Sequence, residues 1–133
     1  MNDDMVDALH QHVHSLHEHL LGAEASDEEC KNLLREFRRL GLDDYQLIFI
    51  VGLIKGELIQ SIVYEGRTTS NEDLLKALSK NLIESEMSKV QAELTLQAAL
   101  PYIEALRNVL NQIYEKFIKD RKKVITSGTI RES

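Results

Sequence analysis

Residues 47–63 read LIFIVGLIKGELIQSIV, the most apolar stretch of the chain and the one that decides its fold. A helix that is apolar nearly all round is either enclosed by other helices or lies in a membrane. Lys55, Glu57 and Gln60 break the run well short of the ~18–20 apolar residues that span a bilayer. The stretch therefore predicts a central core helix, from about 44 to 64, and no transmembrane segment.

Amphipathic helices are predicted on both sides of this stretch. Apolar residues recur at spacings of three and four from about Asp4 to Leu21, which is typical of a helix. A second helix starts at a capping box formed by Ser26 and Glu29 and ends at Gly41, and Ser70 caps another. The fold class is therefore predicted to be all-α, a helical bundle of four to five helices.

The second half of the chain leaves two points open. The helix that starts after Ser70 contains no Gly or Pro before Ala99, which favours one long rod, with a break near residues 79–81 or at Ser85 as the alternative. Pro101 either opens a fresh helix at its first turn or kinks a continuous one.

Two glycines lie four residues apart in the most apolar helix. Gly52 and Gly56 each cost roughly 1 kcal/mol of helix propensity relative to Ala, so we expect them to allow a neighbouring helix to approach closely. Under that hypothesis Gly52→Leu overpacks the core and destabilises the fold. If Gly52 is exposed instead, the same substitution stabilises the helix.

Composition bounds the class of protein. The 133 residues are 43% hydrophobic and 29% charged, with 16 Lys and Arg against 22 Asp and Glu, for a net charge of -6. We expect one helical-bundle domain over residues 1–123 and a flexible C-terminal tail over 124–133. The acidic balance argues against nucleic-acid binding, and the single cysteine, Cys30, together with the lack of a signal peptide, predicts a cytoplasmic protein.

The histidines form one unusual segment. All five lie between His10 and His19. His10 and His14 are four residues apart on one helix face, and His14 and His17 are three apart, so either pair could chelate zinc, nickel or copper. His10 and His17 are about 10.5 Å apart along the axis, so three ligands on one ion are not expected. The alternatives are a solvated helix flank and a pH-sensitive interface.

No catalytic constellation is visible in the sequence. Cys30 lies on the apolar face of its helix, and no glycine-rich phosphate loop follows a strand. We therefore expect no enzymatic activity and no bound cofactor beyond a metal. The basic cluster Lys116–Lys123 either contacts phosphates or an anionic membrane, or is a solvated helix end.

The function predicted from these patterns is that of a non-enzymatic helical protein-protein interaction or regulatory protein, such as an adaptor, inhibitor or immunity-type factor. Its partner would be another protein, and a homodimer is expected because the first helix and the long fourth helix offer more apolar surface than one small bundle buries. The alternative is a metal-binding or metal- or pH-responsive helical protein that uses the segment His10–His19.

Overall fold

The computed structural model describes the backbone of residues 3–132 and the side chains of residues 4, 7, 11 and 14–120. The described backbone contains five helices and no strand, which confirms the all-α fold class. In chain order they are α1 (Asp3–Leu21), α2 (Asp27–Arg39), α3 (Asp44–Glu65), α4 (Asn71–Glu84) and α5 (Lys89–Glu132).

Side-chain caps fix the starts of the three middle helices. Ser26 Oγ accepts a hydrogen bond from the Glu29 amide at 3.3 Å, and Ser70 caps α4 in the same way. At the start of α3 the cap is reciprocal, because Asp43 accepts from the Gln46 amide at 2.8 Å while the Gln46 side chain accepts from the Asp43 amide at 2.9 Å. These contacts satisfy amides that have no partner inside the helix.

The break between α4 and α5 decides one of the open alternatives. The favoured rod to Ala99 is wrong, and the alternative break at Ser85 is confirmed, since α4 ends at Glu84. Glu86 takes the left-handed conformation with φ of 70°, which turns the chain out of the helix. Ser88 then accepts from the Gln91 amide at 3.1 Å as α5 begins.

Helix α5 is the element around which the others pack. It contacts all four other helices and runs without interruption through Pro101, so the continuous alternative for that residue is confirmed. Small buried residues, Ala92, Thr95 and Ala99, let its neighbours approach its first turns, and the larger Ile103 and Leu106 are fully buried further along. The central position that the sequence predicted for α3 therefore belongs to α5.

Helix α1 and the C-terminal residues 124–133 concern two further predictions, the dimer seam and the domain boundary. In α1, Leu16 and Leu20 are buried inside the bundle, so this part of the apolar seam is not available to a second subunit. The rest of the seam lies outside the described side chains. The side chains of residues 124–133 also lie outside them, and the domain boundaries stay a prediction.

Candidate functional site

Helix α3 packs on one side and is exposed on the other. Ile50, Ile54, Leu58 and Ile62 are buried against α1, α4 and α5. The opposite side exposes five large apolar side chains: Tyr45 (87% exposed), Ile48 (69%), Phe49, Val63 and Tyr64 (81%). The expectation that other helices enclose α3 all round is therefore wrong for half of its circumference.

The exposed residues form one continuous stripe, which we call the α3 face. Its members are Tyr45, Ile48, Phe49, Gly52, Gly56, Gln60, Val63 and Tyr64. They recur at spacings of mostly three and four, which places them along one side of the helix from its first turn to its last. None of them is charged. A protein with a net charge of -6 thus presents an uncharged strip about as long as a 22-residue helix.

The two glycines open a groove in the α3 face. A Cβ added at Gly52 or Gly56 would meet nothing within 4 Å, so the predicted close packing against another helix of the same chain is wrong. Together with His17 and Leu21 of α1, and with Tyr64 at the far end, they line a groove of about 420 Å³. The two glycines deepen the groove because they have no side chain to fill that part of the helix surface.

Lys55 borders the groove but does not carry a free charge into it. Its Nζ donates to Glu24 Oε1 at 2.7 Å and to the Leu21 carbonyl at 3.0 Å, and its side chain is largely buried. The ion pair ties the middle of α3 to the connection between α1 and α2. It also compensates the charge of Lys55 beside the α3 face.

Two of the three histidines predicted as metal ligands, His14 and His17, have described side chains. His14 Nε2 lies 3.1 Å from Glu18 Oε1, one turn along α1, and the exposed His17 lines the groove of the α3 face. The side chain of His10 lies outside the described residues. Among the described side chains, no group of three or more His, Cys, Asp or Glu residues could hold a metal ion. Metal binding by His10, His14 and His17 stays a prediction.

Two groups near α2, the half-buried Cys30 thiol and the buried Tyr102 hydroxyl, have raised pKa values. Burial first, and then the carboxylates of Glu24 and Asp27, raise the pKa of the Cys30 thiol, which is the opposite of what activates a nucleophile. Burial also raises the pKa of Tyr102 to about 12, with Glu24 and Cys30 adding to the effect. These shifts describe an apolar environment in which both groups stay neutral at pH 7.

By length and composition alone, α3 could cross a membrane. The 18-residue window that meets this test has a mean hydropathy of 1.7, and 28% of it is buried inside the bundle. A core helix of a soluble protein would meet the same test with most of its residues buried. Helix α3 therefore differs from a buried core helix in that most of this window is not buried.

No protein-family model matches the chain, and neither a curated protein nor a solved structure matches it. The α3 face was not identified from the sequence as a site. Its signal was present in Gly52 and Gly56, which are hard to explain in a helix unless something approaches them closely.

Proposed function

We propose that this protein is a non-enzymatic interaction protein and that the α3 face is the surface through which it binds another protein. The observation that carries the proposal is the continuous exposed stripe from Tyr45 to Tyr64. Monomeric soluble proteins rarely expose large contiguous apolar patches, and such patches mark binding surfaces. Helices also commonly bind protein partners through apolar side chains spaced three and four residues apart.

The chemistry of the stripe suits a protein partner. Tyr45 and Tyr64, one at each end, combine a large apolar ring with a hydroxyl, and such residues are enriched at protein interfaces. An anionic membrane surface attracts Lys and Arg, whereas the α3 face has neither and begins beside Asp43 and Asp44. Lys55, which borders the groove, is already paired with Glu24.

Protection of a thiol on the α3 face tests the proposal. The variants Ile48→Cys and Val90→Cys, each with Cys30→Ser, place one reactive thiol on the face or at the start of α5. The two parent side chains are matched in exposure, at 69% and 67%. In a concentrated membrane-free extract of cells that make the protein, we expect the Ile48→Cys thiol to react several times more slowly than the Val90→Cys thiol.

In a dilute purified sample the two variants should react at the same rate. Equal rates in the extract as well would contradict the proposal, because the α3 face would then be uncovered where a partner is available. Protection that occurs only when membranes are present would also contradict it. Circular dichroism of both variants shows whether each keeps the helical fold.

A further inference from the structure

The two halves of the α3 face have complementary shapes. The first half carries the projecting side chains Tyr45, Ile48 and Phe49, all exposed. The second half contains the groove of about 420 Å³ that begins at Gly52 and reaches Tyr64. A surface with projections at one end and a hollow at the other fits a copy of itself turned end to end.

We propose that the partner of the α3 face is a second copy of this chain, bound through a two-fold axis with the two α3 helices antiparallel. The inference rests on the proposed function and specifies its partner. With the axis beside residue 54, Gly52 of one copy lies opposite Gly56 of the other. The same register places Phe49 opposite Ile59 and Tyr45 opposite Val63, so that each copy's aromatic side chains enter the other's groove.

Charge favours this orientation over a parallel one. Helix α3 is capped by Asp43 and starts with Asp44, and it ends with Glu65, which Arg67 follows two residues later. In the register above, Asp43 of one copy lies opposite Glu65 of the other, with Arg67 two residues further along, so an antiparallel pair has two aspartates, one glutamate and one arginine at each end of the interface. A parallel pair would bring the four aspartates together, and like-charge contacts of this kind disfavour a complex. Asp44 is only loosely paired within its own chain, since Arg38 lies 3.9 Å away and both side chains are exposed.

The middle of the interface is also electrically compatible with a second copy. Lys55 of the two copies would lie close together near the axis. Each Lys55 is held by Glu24 of its own chain at 2.7 Å, so each is part of a neutral pair. The antiparallel orientation therefore divides the four aspartates between the two ends of the interface and leaves no net charge at its centre.

The exposed aromatic side chains alone supply about half of the area that a stable dimer takes from each partner. A fully accessible aromatic side chain offers roughly 150–250 Å². Tyr45 and Tyr64 are more than four-fifths exposed and Phe49 nearly half exposed, which amounts to about 400 Å² per copy. Ile48, Val63 and the neighbouring Leu21 add further apolar area. A standard interface takes about 800 Å² from each partner.

Disulfide trapping distinguishes the orientations. Tyr45→Cys and Val63→Cys are made separately in a Cys30→Ser background and oxidised either alone or as an equal mixture. In the antiparallel register, the mixture gives a covalent dimer that contains one of each variant, and the separate samples give little. Circular dichroism confirms that both variants are folded, and Val90→Cys mixed with Tyr45→Cys is the control for random collisions.

The other outcomes overturn the inference. Efficient cross-linking of Tyr45→Cys to itself would show a parallel pair. No cross-link above the Val90→Cys control at high protein concentration would show that the partner is not a second copy. In that case, protection of the Ile48→Cys thiol in the extract would still support the proposed function. If the thiol is not protected either, both the proposed function and the dimer are contradicted. Flotation of the purified chain with anionic vesicles, without self-cross-linking, would assign the α3 face to a membrane.

Discussion

At the scale of single residues, Tyr102 is a buried titratable group with a strongly raised pKa. Its hydroxyl is buried and has no hydrogen-bond partner among the described residues, and burial raises its pKa to about 12. The Tyr102→Phe variant removes a buried polar atom that gains nothing in return. At pH 7 we expect its free energy of unfolding to equal or exceed that of the parent, as measured by urea denaturation.

The same residue predicts a dependence on alkaline pH. Because the folded-state pKa lies above the unfolded value of 10.0, the folded protein holds the proton more tightly. The associated stability is present below pH 10 and is lost as the pH rises toward 12. Tyr102→Phe should therefore lose less stability than the parent between pH 9 and pH 11. Tyr45→Phe, on the exposed face, is the control, and an identical loss in Tyr102→Phe would contradict the account.

Gly52 and Gly66 should respond in opposite directions to the same substitution. Gly52 has open space around it in a helix interior, so Gly52→Leu should raise the free energy of unfolding of the dilute protein by about 1 kcal/mol. Gly66 has a φ of +74°, and a Cβ there would lie 3.2 Å from the Tyr114 hydroxyl. Gly66→Leu should lower stability by about 1–2 kcal/mol. Thermal melting at low concentration measures both, and a loss of stability in Gly52→Leu would mean that the residue is packed.

At the scale of elements, two helix ends use the same motif with different residues. After α2, the Leu42 amide donates to the Phe37 carbonyl around Gly41, which has a positive φ. After α4, the Met87 amide donates to the Leu82 carbonyl around Glu86, at a φ of 70°. Glycine takes this conformation without a steric penalty, whereas a residue with a Cβ does not.

Exchange of residues at these two ends should change stability in opposite directions. Glu86→Gly should raise the free energy of unfolding by about 1 kcal/mol, and Gly41→Glu should lower it by about 1–2 kcal/mol. Chemical denaturation at neutral pH measures both. If Glu86→Gly is destabilising, contacts of the Glu86 side chain, rather than the helix end, fix the turn between α4 and α5.

The helix ends also show what local sequence could predict. The caps at Ser26, Gly41 and Ser70 were found because each residue bonds to amides or carbonyls within a few positions. The break at Ser85 was only an alternative, since Glu86 gives no glycine signal. The start of α5 does have a local sequence signal, because Ser88 and Gln91 have the spacing of a capping box.

The exposed side of α3 could not be predicted in the same way. The apolar residues of α3 lie on all sides of the helix, so their periodicity does not distinguish the side that packs against the bundle from the side that is exposed. The choice depends on α5, which is separated in sequence and takes the centre of the bundle through its buried Ala92 and Ala99. The bundle was therefore predictable from local pattern, but the position of α3 within it was not.

At the scale of the whole molecule, we propose that the α3 face is an interface rather than an unfilled part of the core. The bundle already has a buried core of its own in which α5 contacts every other helix. The α3 face remains outside that core, with a groove where the two glycines lie. Substitutions there should alter association without unfolding the chain.

Sedimentation equilibrium of three chains tests this most directly: the parent, Ile48→Glu and Val90→Glu. The two replaced residues are nearly equally exposed, at 69% and 67%, and only Ile48 lies on the α3 face. We expect the parent and Val90→Glu to reach the mass of a dimer with rising concentration. A carboxylate buried without a partner should weaken Ile48→Glu association at least about tenfold. A parent chain that stays monomeric at every concentration, or equal association of all three, would contradict the account.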